Sequence, residues 1–393
     1  RIAMNPTEKR LVHLLHHRDH VKVMIIGLGS VGTYLLDYLC SSGDPALEVV
    51  VAGRNMEKME SDVNIVRVAS MIRGQNRTKV AIDNSCDLER VEAVAACIAK
   101  HQPDIIINSS RVRSGLKYGS ISWRAFRAYG IWAPLAVKYT KTIMDAAELA
   151  GSQAIVINTS YSDAVIPWLK GAGCRYPDFG SGNLNHLIPR IQFAAGGILG
   201  FADPWNLDVT LATGHFHDVV ISKEGHAESV EQLLDIRHQG KPLVFDQTEV
   251  LRRCKIPMPV DAKRNMMNAS SNYQVISGLL RAVRNRERIK LHIPGALGEL
   301  GGYPVIVDGS RDTPAVFVDE GVFSLQEMRE KNRKSMALDG IEGIQGDELI
   351  YTDGLIEKVQ AAFSARLPKR VSLGQAEQTA DFLVERVILK AVQ

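Results

Sequence analysis

The chain is short of cysteine, and what it has is unpaired. Cys40, Cys86, Cys97, Cys174 and Cys254 are five scattered thiols in 393 residues, with none of the short paired spacings that zinc or dithiol chemistry uses. They read as reduced thiols. Long apolar runs are lacking too: stretches such as 154–158 and 305–307 fall far below the ~20 residues that cross a bilayer. An excess of one charge is also missing. Lys and Arg total 47 against 44 Asp and Glu, a net charge of +3, and no basic tract gathers that excess, so nucleic acid is not an expected partner. There is no repeat of 20 to 50 residues and no low-complexity linker. Residues 1–20 are basic and rich in histidine but have no apolar core of a secretory signal. These absences lead to the expectation of a cytoplasmic protein without membrane contact.

What is present is an ordinary globular composition, 45% apolar and 23% charged, at a length that suits two domains. A β-branched run at 21–26 leads directly into Gly27-Leu-Gly29-Ser-Val-Gly32, and a helix is expected over 33–41. Strand-like 48–52, helix-like 86–100, strand-like 104–108, helix-like 131–149 and strand-like 154–158 continue the alternation. This predicts an α/β, Rossmann-type doubly wound parallel sheet over 21–165. Farther on, helices are expected at 184–194, 230–240 and 271–286, and a strand at 207–212. Antiparallel strands are expected at 290–293, 303–307 and 315–318, and a helix at 324–339 opened by a Ser324-x-x-Glu327 box. The expectation is an α+β catalytic domain over 166–345, with a cleft against the first domain. Residues 1–20 form an N-terminal extension with a short helix at 8–17. Residues 346–393 form a C-terminal helical extension whose amphipathic stretch 375–389 is a surface helix or a subunit contact.

The glycine motif carries the clearest chemistry. Gly27 permits a tight turn, Gly29 lets backbone approach a pyrophosphate, and Gly32 lets the helix pack on the strand. The first helical residues, Ser30 and Val31, turn their N–H groups toward the phosphates. About 20 residues on, an acid would accept bonds from a ribose 2′-hydroxyl, but the positions read Gly53, Arg54, Asn55. Arginine offers donors suited to a 2′-phosphate, so NADP is expected over NAD. The next strand ends at Asn108 and Ser109, also expected at the cofactor, and is followed by Arg111 and Arg113, placed to hold an anionic substrate. Asn158 closes the fifth strand, where it can bond a reacting oxygen. Thr213-Gly-His215-Phe-His217-Asp218 sets two histidines on one side of what reads as an extended chain, suited to proton transfer. Metal ligation also fits, with His215, His217 and Asp218 as possible ligands, although no fuller metal signature is present.

In their order and approximate spacing, these segments resemble the lactate/malate dehydrogenase superfamily. They are Gly27 to Gly32, Asn158, Gly180-Ser-Gly182 before a helix bearing Arg190, Gly214 to Asp218, Asn268-Ala-Ser-Ser-Asn272, and Gly302-Tyr-Pro-Val305 with the final strands and helix. The resemblance spans about 21–345. It implies that Arg111 or Arg113 polarises a substrate carbonyl, that Arg190 binds its carboxylate, and that His215 or His217 is the acid/base. It also implies that Asn158 bonds the substrate oxygen and that His186 and Ser271 line the substrate pocket. A homo-oligomer, dimer or tetramer, is implied as well. The sequence departs from the family where Leu184-Asn185-His186 replaces a Leu-Asp pair, so the histidine's usual carboxylate partner is missing. The first half, in Val51-Ala-Gly-Arg-Asn55 and Pro103 to Asn108, also resembles the cofactor domain of saccharopine-type dehydrogenases, which act on imines of an amino acid and a keto acid. Glycoside hydrolases that use NAD and a metal share the scaffold too.

The expected activity is hydride transfer between NADP and the carbonyl or hydroxyl carbon of a small anionic substrate of the 2-keto or 2-hydroxy acid kind. Two alternatives stand beside it: the imine chemistry just named, and a non-catalytic NADP-binding sensor or scaffold.

Overall fold

Near-continuous Val and Ile runs make strands buried on both faces, as a parallel sheet covered by helices requires. The computed structural model describes residues 3–111 and 115–393, without the side chains of 115–117. Its strands β1 (Val21–Ile26), β2 (Leu47–Ala52), β3 (Lys79–Asp83), β4 (Ile105–Asn108), β5 (Ile155–Asn158) and β6 (Phe179–Gly180) form one parallel sheet. Their spatial order is β3-β2-β1-β4-β5-β6, so the chain reverses direction across the sheet between β1 and β4. Met24, Ile26, Val50, Ile106 and Val156 enter one core, which helices Val91–His101 and Ala133–Leu149 cover. Val23, Ile25, Val49, Ile105 and Ile155 enter the other, under helices Pro6–His16, Ser30–Cys40, Met56–Ile72 and Asn265–Asn285.

Helix Met56–Ile72 and β3 were not expected from the pattern. That helix buries only Met59, Val63, Val66 and Ser70, and β3 is an edge strand with little apolar alternation. The helix expected over 86–100 begins only at Val91, because Asp87 accepts the Glu89 N–H and turns the preceding residues.

The second half is α+β. Strands β7 (Leu207–Ala212), β8 (Leu233–His238) and β9 (Lys241–Pro242) form an antiparallel sheet. The helix expected over 230–240 is therefore a hairpin. Leu234 and Ile236 are buried while Asp235 pairs with Arg237, a period of two. Gln239 and Gly240, with φ of 51° and 79°, make the tight turn. Strands β10 (Arg288–Pro294), β11 (Gly302–Asp308) and β12 (Ala315–Val318) are antiparallel as expected. Helix Leu325–Leu338 has its reciprocal Ser324/Glu327 cap. A third antiparallel sheet joins β13 (Ile341–Gln345), β14 (Glu348–Tyr351) and β15 (Arg370–Ser372).

The amphipathic C-terminal stretch packs on its own chain. Helix Ala376–Leu383 and the turns after it send Ala376, Ala380, Leu383 and Val387 into the core that holds helix Ala133–Leu149. Leu383→Ala should therefore cost about 2–5 kcal/mol, read as a lowered midpoint in urea or thermal unfolding; a cost below 1 kcal/mol would mean this helix is only lightly docked. Among the described residues, no helix is long and apolar enough to cross a membrane.

Candidate active site

Each glycine of the β1 turn is needed for a different reason. Gly27 has φ +88°, and a Cβ there would lie 2.7 Å from the Ser110 Cα. A Cβ on Gly32 would lie 2.8 Å from the Gly27 carbonyl oxygen, whereas a Cβ on Gly29 would meet nothing within 4 Å. Gly29 caps helix Ser30–Cys40 without any side-chain bond to its first N–H groups. Those donors and the open space above them could hold a phosphate. A groove leads away from it, lined by Gly27, Gly29, Ser30, Val31, Gly53, Arg54, Asn55 and Ser109, together with Lys58, Asp87 and Arg111. Most of the expected cofactor residues are thus gathered. Gly32 packs behind the turn, and Asn108 is buried, donating to Thr140 Oγ1 at 3.1 Å and Asn158 Oδ1 at 3.0 Å. Arg54 is 63% exposed and forms an ion pair with Asp87 at 2.6 Å.

Val31, Ser109, Ser110, Arg111 and Tyr139 also line an adjoining cavity of about 210 Å³, with Tyr129, Tyr161, Asn183 and His215 around it. The segment holding the histidines is not extended. Gly214 caps a helix, His215–Glu224, so two residues of separation turn His217 about 200° away from His215. His215 lines the cavity. His217 is buried, with Nδ1 2.8 Å from Ser335 Oγ and Nε2 3.2 Å from the Glu228 carbonyl. Burial holds it neutral, with a pKa of about 4.

His215 finds its carboxylate 124 residues later. Its Nδ1 lies 3.1 Å from Asp339 Oδ2, a residue with no exposed surface. Tyr161 donates its hydroxyl to the same oxygen at 2.5 Å, and the Tyr129 N–H donates to Oδ1 at 2.8 Å. Gly130 allows this approach, since a Cβ there would lie 2.4 Å from the Asp339 carbonyl oxygen. The Tyr129 and Tyr161 rings meet the imidazole edge-on, with centroids 5.0 and 5.2 Å away. Burial alone would lower the pKa of His215, but Asp339, then Asp163 and Asp218, outweigh it and raise the value to about 9. Asp218 is pushed up to about 7 by burial, with His215 and Arg190 pulling the other way. The Asp163 carboxyl is likewise raised by burial, and it accepts a bond from Asn183 at 2.8 Å. The result is a cationic imidazole at neutral pH, held by Nδ1, whose Nε2 has no hydrogen-bond partner among the described residues.

Of the other expected catalytic and substrate residues that are described, only Arg111 shares the cavity with His215. Arg111 is exposed at the rim shared by cavity and groove, and Arg113 lies outside the described residues. Asn158 has no exposed surface and donates to Ser160 O at 3.0 Å and Ser162 Oγ at 2.9 Å. Its amide is thus spent organising the end of β5. His186, Arg190 and Ser271 line a second pocket of about 340 Å³, among Phe193, Met258 and Met267. There Arg190 donates to the Cys254 carbonyl at 2.8 Å, and Ser271 donates to Asn185 Oδ1 at 2.6 Å. Buried Asp218 lies near enough to feel the charges of both His215 and Arg190, although it lines neither pocket. Asp339 and Tyr161 were missed in the sequence. Asp339 carries no local signal, because Gly340 after it (φ +91°) marks only the end of a helix.

No family model matches the chain, and no curated protein matches it in sequence. Solved structures do. A malate dehydrogenase from Cryptosporidium parvum superposes with a TM-score of 0.52 at 13% identity, covering 81% of this chain and 98% of that one. A lactate dehydrogenase from Eimeria maxima, solved with NADH and oxamate, gives 0.52 at 12% identity over 81% and 91% of the two chains. Malate dehydrogenase from Plasmodium falciparum in complex with NADH gives 0.51 at 13% identity over 81% and 95%. With the strand order, the glycine turn and a histidine–aspartate pair at the carboxyl edge of the sheet, this likeness shows that the chain has the fold of the lactate and malate dehydrogenases.

Proposed function

We propose that the protein is an oxidoreductase that moves a hydride between a nicotinamide dinucleotide and the carbonyl or hydroxyl carbon of a small anionic 2-keto or 2-hydroxy acid. The observation that carries this reading is the His215–Asp339 pair facing a cavity continuous with the groove of the glycine turn. The open cradle at Gly29 fits a pyrophosphate, and the groove past Gly53 to Asn55 fits the adenosine half. The dinucleotide, when bound, supplies or accepts the hydride. His215 donates the Nε2 proton to the substrate oxygen during reduction and takes it back during oxidation. Asp339 fixes the tautomer and stabilises the imidazolium. Arg111 at the rim offers positive charge to the substrate's oxygens. Asp339 takes the place of the carboxylate that the sequence lacks near Asn185, which favours catalysis over a sensor that has lost its chemistry.

The reaction's pH dependence follows from His215. Reduction needs the protonated ring and should decline as pH rises through about 9, whereas oxidation needs the neutral ring and should increase over the same range. The test is a screen at the nicotinamide absorbance with 2-keto acids, each with and without an amine. Turnover with a keto acid alone is expected. An absolute need for the amine would move the substrate to the imine class, and no turnover with any carbonyl compound would defeat the proposal.

The preferred form of the cofactor is the 2′-phosphorylated one. Arg54 and Lys58 both line the far part of the groove, and an exposed pair such as Arg54–Asp87 is worth at most about 1 kcal/mol, so the guanidinium is free to exchange partners. Arg54→Ala is expected to weaken NADP binding about 10- to 100-fold and to leave NAD binding nearly unchanged. Titration of tryptophan fluorescence, with Trp132 in the cavity wall, reads both. Equal losses for the two cofactors would remove Arg54 from the discrimination.

A further inference from the structure

The histidines of the N-terminal extension play no part in the cleft. His13 and His17 are one turn apart on helix Pro6–His16 and its C-cap, so they share a face. That face rests on Asp104, the residue before β4, at the end of the strand opposite the cleft. Asp104 Oδ1 lies 2.8 Å from His17 Nδ1 and 3.8 Å from His13 Nε2, and the three atoms are all within 4.8 Å of one another. A tetrahedral zinc ion with ordinary bond lengths needs nitrogen and oxygen donors about 3.3 Å apart, a value between the two separations to Asp104. Its other carboxylate oxygen accepts the Lys22 N–H at 2.9 Å, which fixes the carboxylate plane and aims Oδ1 at the two rings, as an outer-shell bond does in metal sites. His13 Nε2 approaches that oxygen but is too far for a hydrogen bond. A solvent-open depression of about 420 Å³, which His17 and Asp104 help to line, gives an entry path.

We propose that His13 Nε2, His17 Nδ1 and Asp104 Oδ1 hold a divalent transition-metal ion of the zinc class, with water in the fourth position, clamping the N-terminal helix to the sheet. Two imidazoles and one carboxylate are a donor set this class accepts. Among the described residues two other groups of such side chains come together, but their carboxylates carry further partners. Asp83 accepts from Ser85 N and Oγ and is 2.7 Å from His101, while Glu224 and Glu228 hold the Arg127 guanidinium, whose charge repels a cation.

The test uses the full chain, stripped with a chelator and then titrated with zinc or cobalt. One saturable equivalent is expected, with tetrahedral cobalt absorption in the visible range and a higher thermal midpoint. His13→Gln should weaken binding at least tenfold while keeping the His17–Asp104 hydrogen bond and hence the fold. The double change His16→Gln with His20→Gln should leave binding unaltered. No saturable binding, or binding that survives both His13→Gln and Asp104→Asn, would overturn the proposal and leave only adventitious ions on a histidine-rich surface.

Discussion

Asp339→Asn is expected to lower turnover in the reduction of the identified substrate by roughly 10²–10⁴-fold, with a much smaller change in cofactor affinity. The amide retains the size of the carboxylate but presents a dipole where the imidazolium had a charge, and it can hold the ring in the wrong tautomer. The pH profile should move with it. The wild-type reduction rate should fall through about 9; without the Asp339 charge, which is the largest influence raising that value, the inflection should drop toward or below the ordinary histidine range. Stability gives an independent reading with a defined sign. A histidine raised in the folded state contributes stability that is present below its unfolded pKa of ~6.5 and is lost as pH rises through the folded value. The variant should therefore be more destabilised relative to wild type at pH 6 than at pH 10. His217→Ala is the contrasting change: it removes a neutral ring bonded to Ser335 and Glu228 and should cost stability while keeping the pH profile. If Asp339→Asn kept full turnover with an unmoved profile, the acid/base assignment would fail.

Gly27→Ala carries the second large effect. The position has φ +88°, and the new methyl would press on the Ser110 backbone at 2.7 Å. A side chain at positive φ alone costs of order 1–3 kcal/mol, and backbone has no rotamer by which to yield. Relief requires β1 to separate from the loop after β4, which is the junction where groove and cavity meet. Dinucleotide affinity should fall at least 100-fold, together with a lowered unfolding midpoint. Gly29→Ala serves as a control for stability, because its Cβ would meet no protein atom within 4 Å. It should unfold like wild type yet bind the dinucleotide more weakly, since the methyl occupies the space left for phosphate. Unchanged binding in both variants would separate the glycine turn from cofactor recognition.

Much of the fold was legible because its signals are local. The runs at β1, β2, β4 and β5 are apolar on both faces, the glycine turn follows β1 directly, and the Ser324 cap is written within four residues. Edge strand β3 and helix Met56–Ile72 were not, since each buries too little to impose a period. β8 misled for the opposite reason: its Leu and Ile residues suit a helix stripe as well as a strand, and only pairing with β7 decided between them.

The candidate site divides in the same way. From the sequence alone came the glycine turn, Arg54, Arg111 and a candidate acid/base histidine at 215 or 217, because each follows the end of a recognisable strand. Tertiary structure decided which histidine faces the cavity, since a helix starting at His215 rotates His217 into the core. It also supplied Asp339 and Tyr161 and placed Arg190 in a neighbouring pocket. A histidine's pKa is set by charges within a few ångströms of it, and Asp339 becomes such a neighbour only when the helix Leu325–Leu338 docks beside Gly214. Spacing along the chain cannot encode that contact, because its energy comes from burial and desolvation that exist only once both segments are packed.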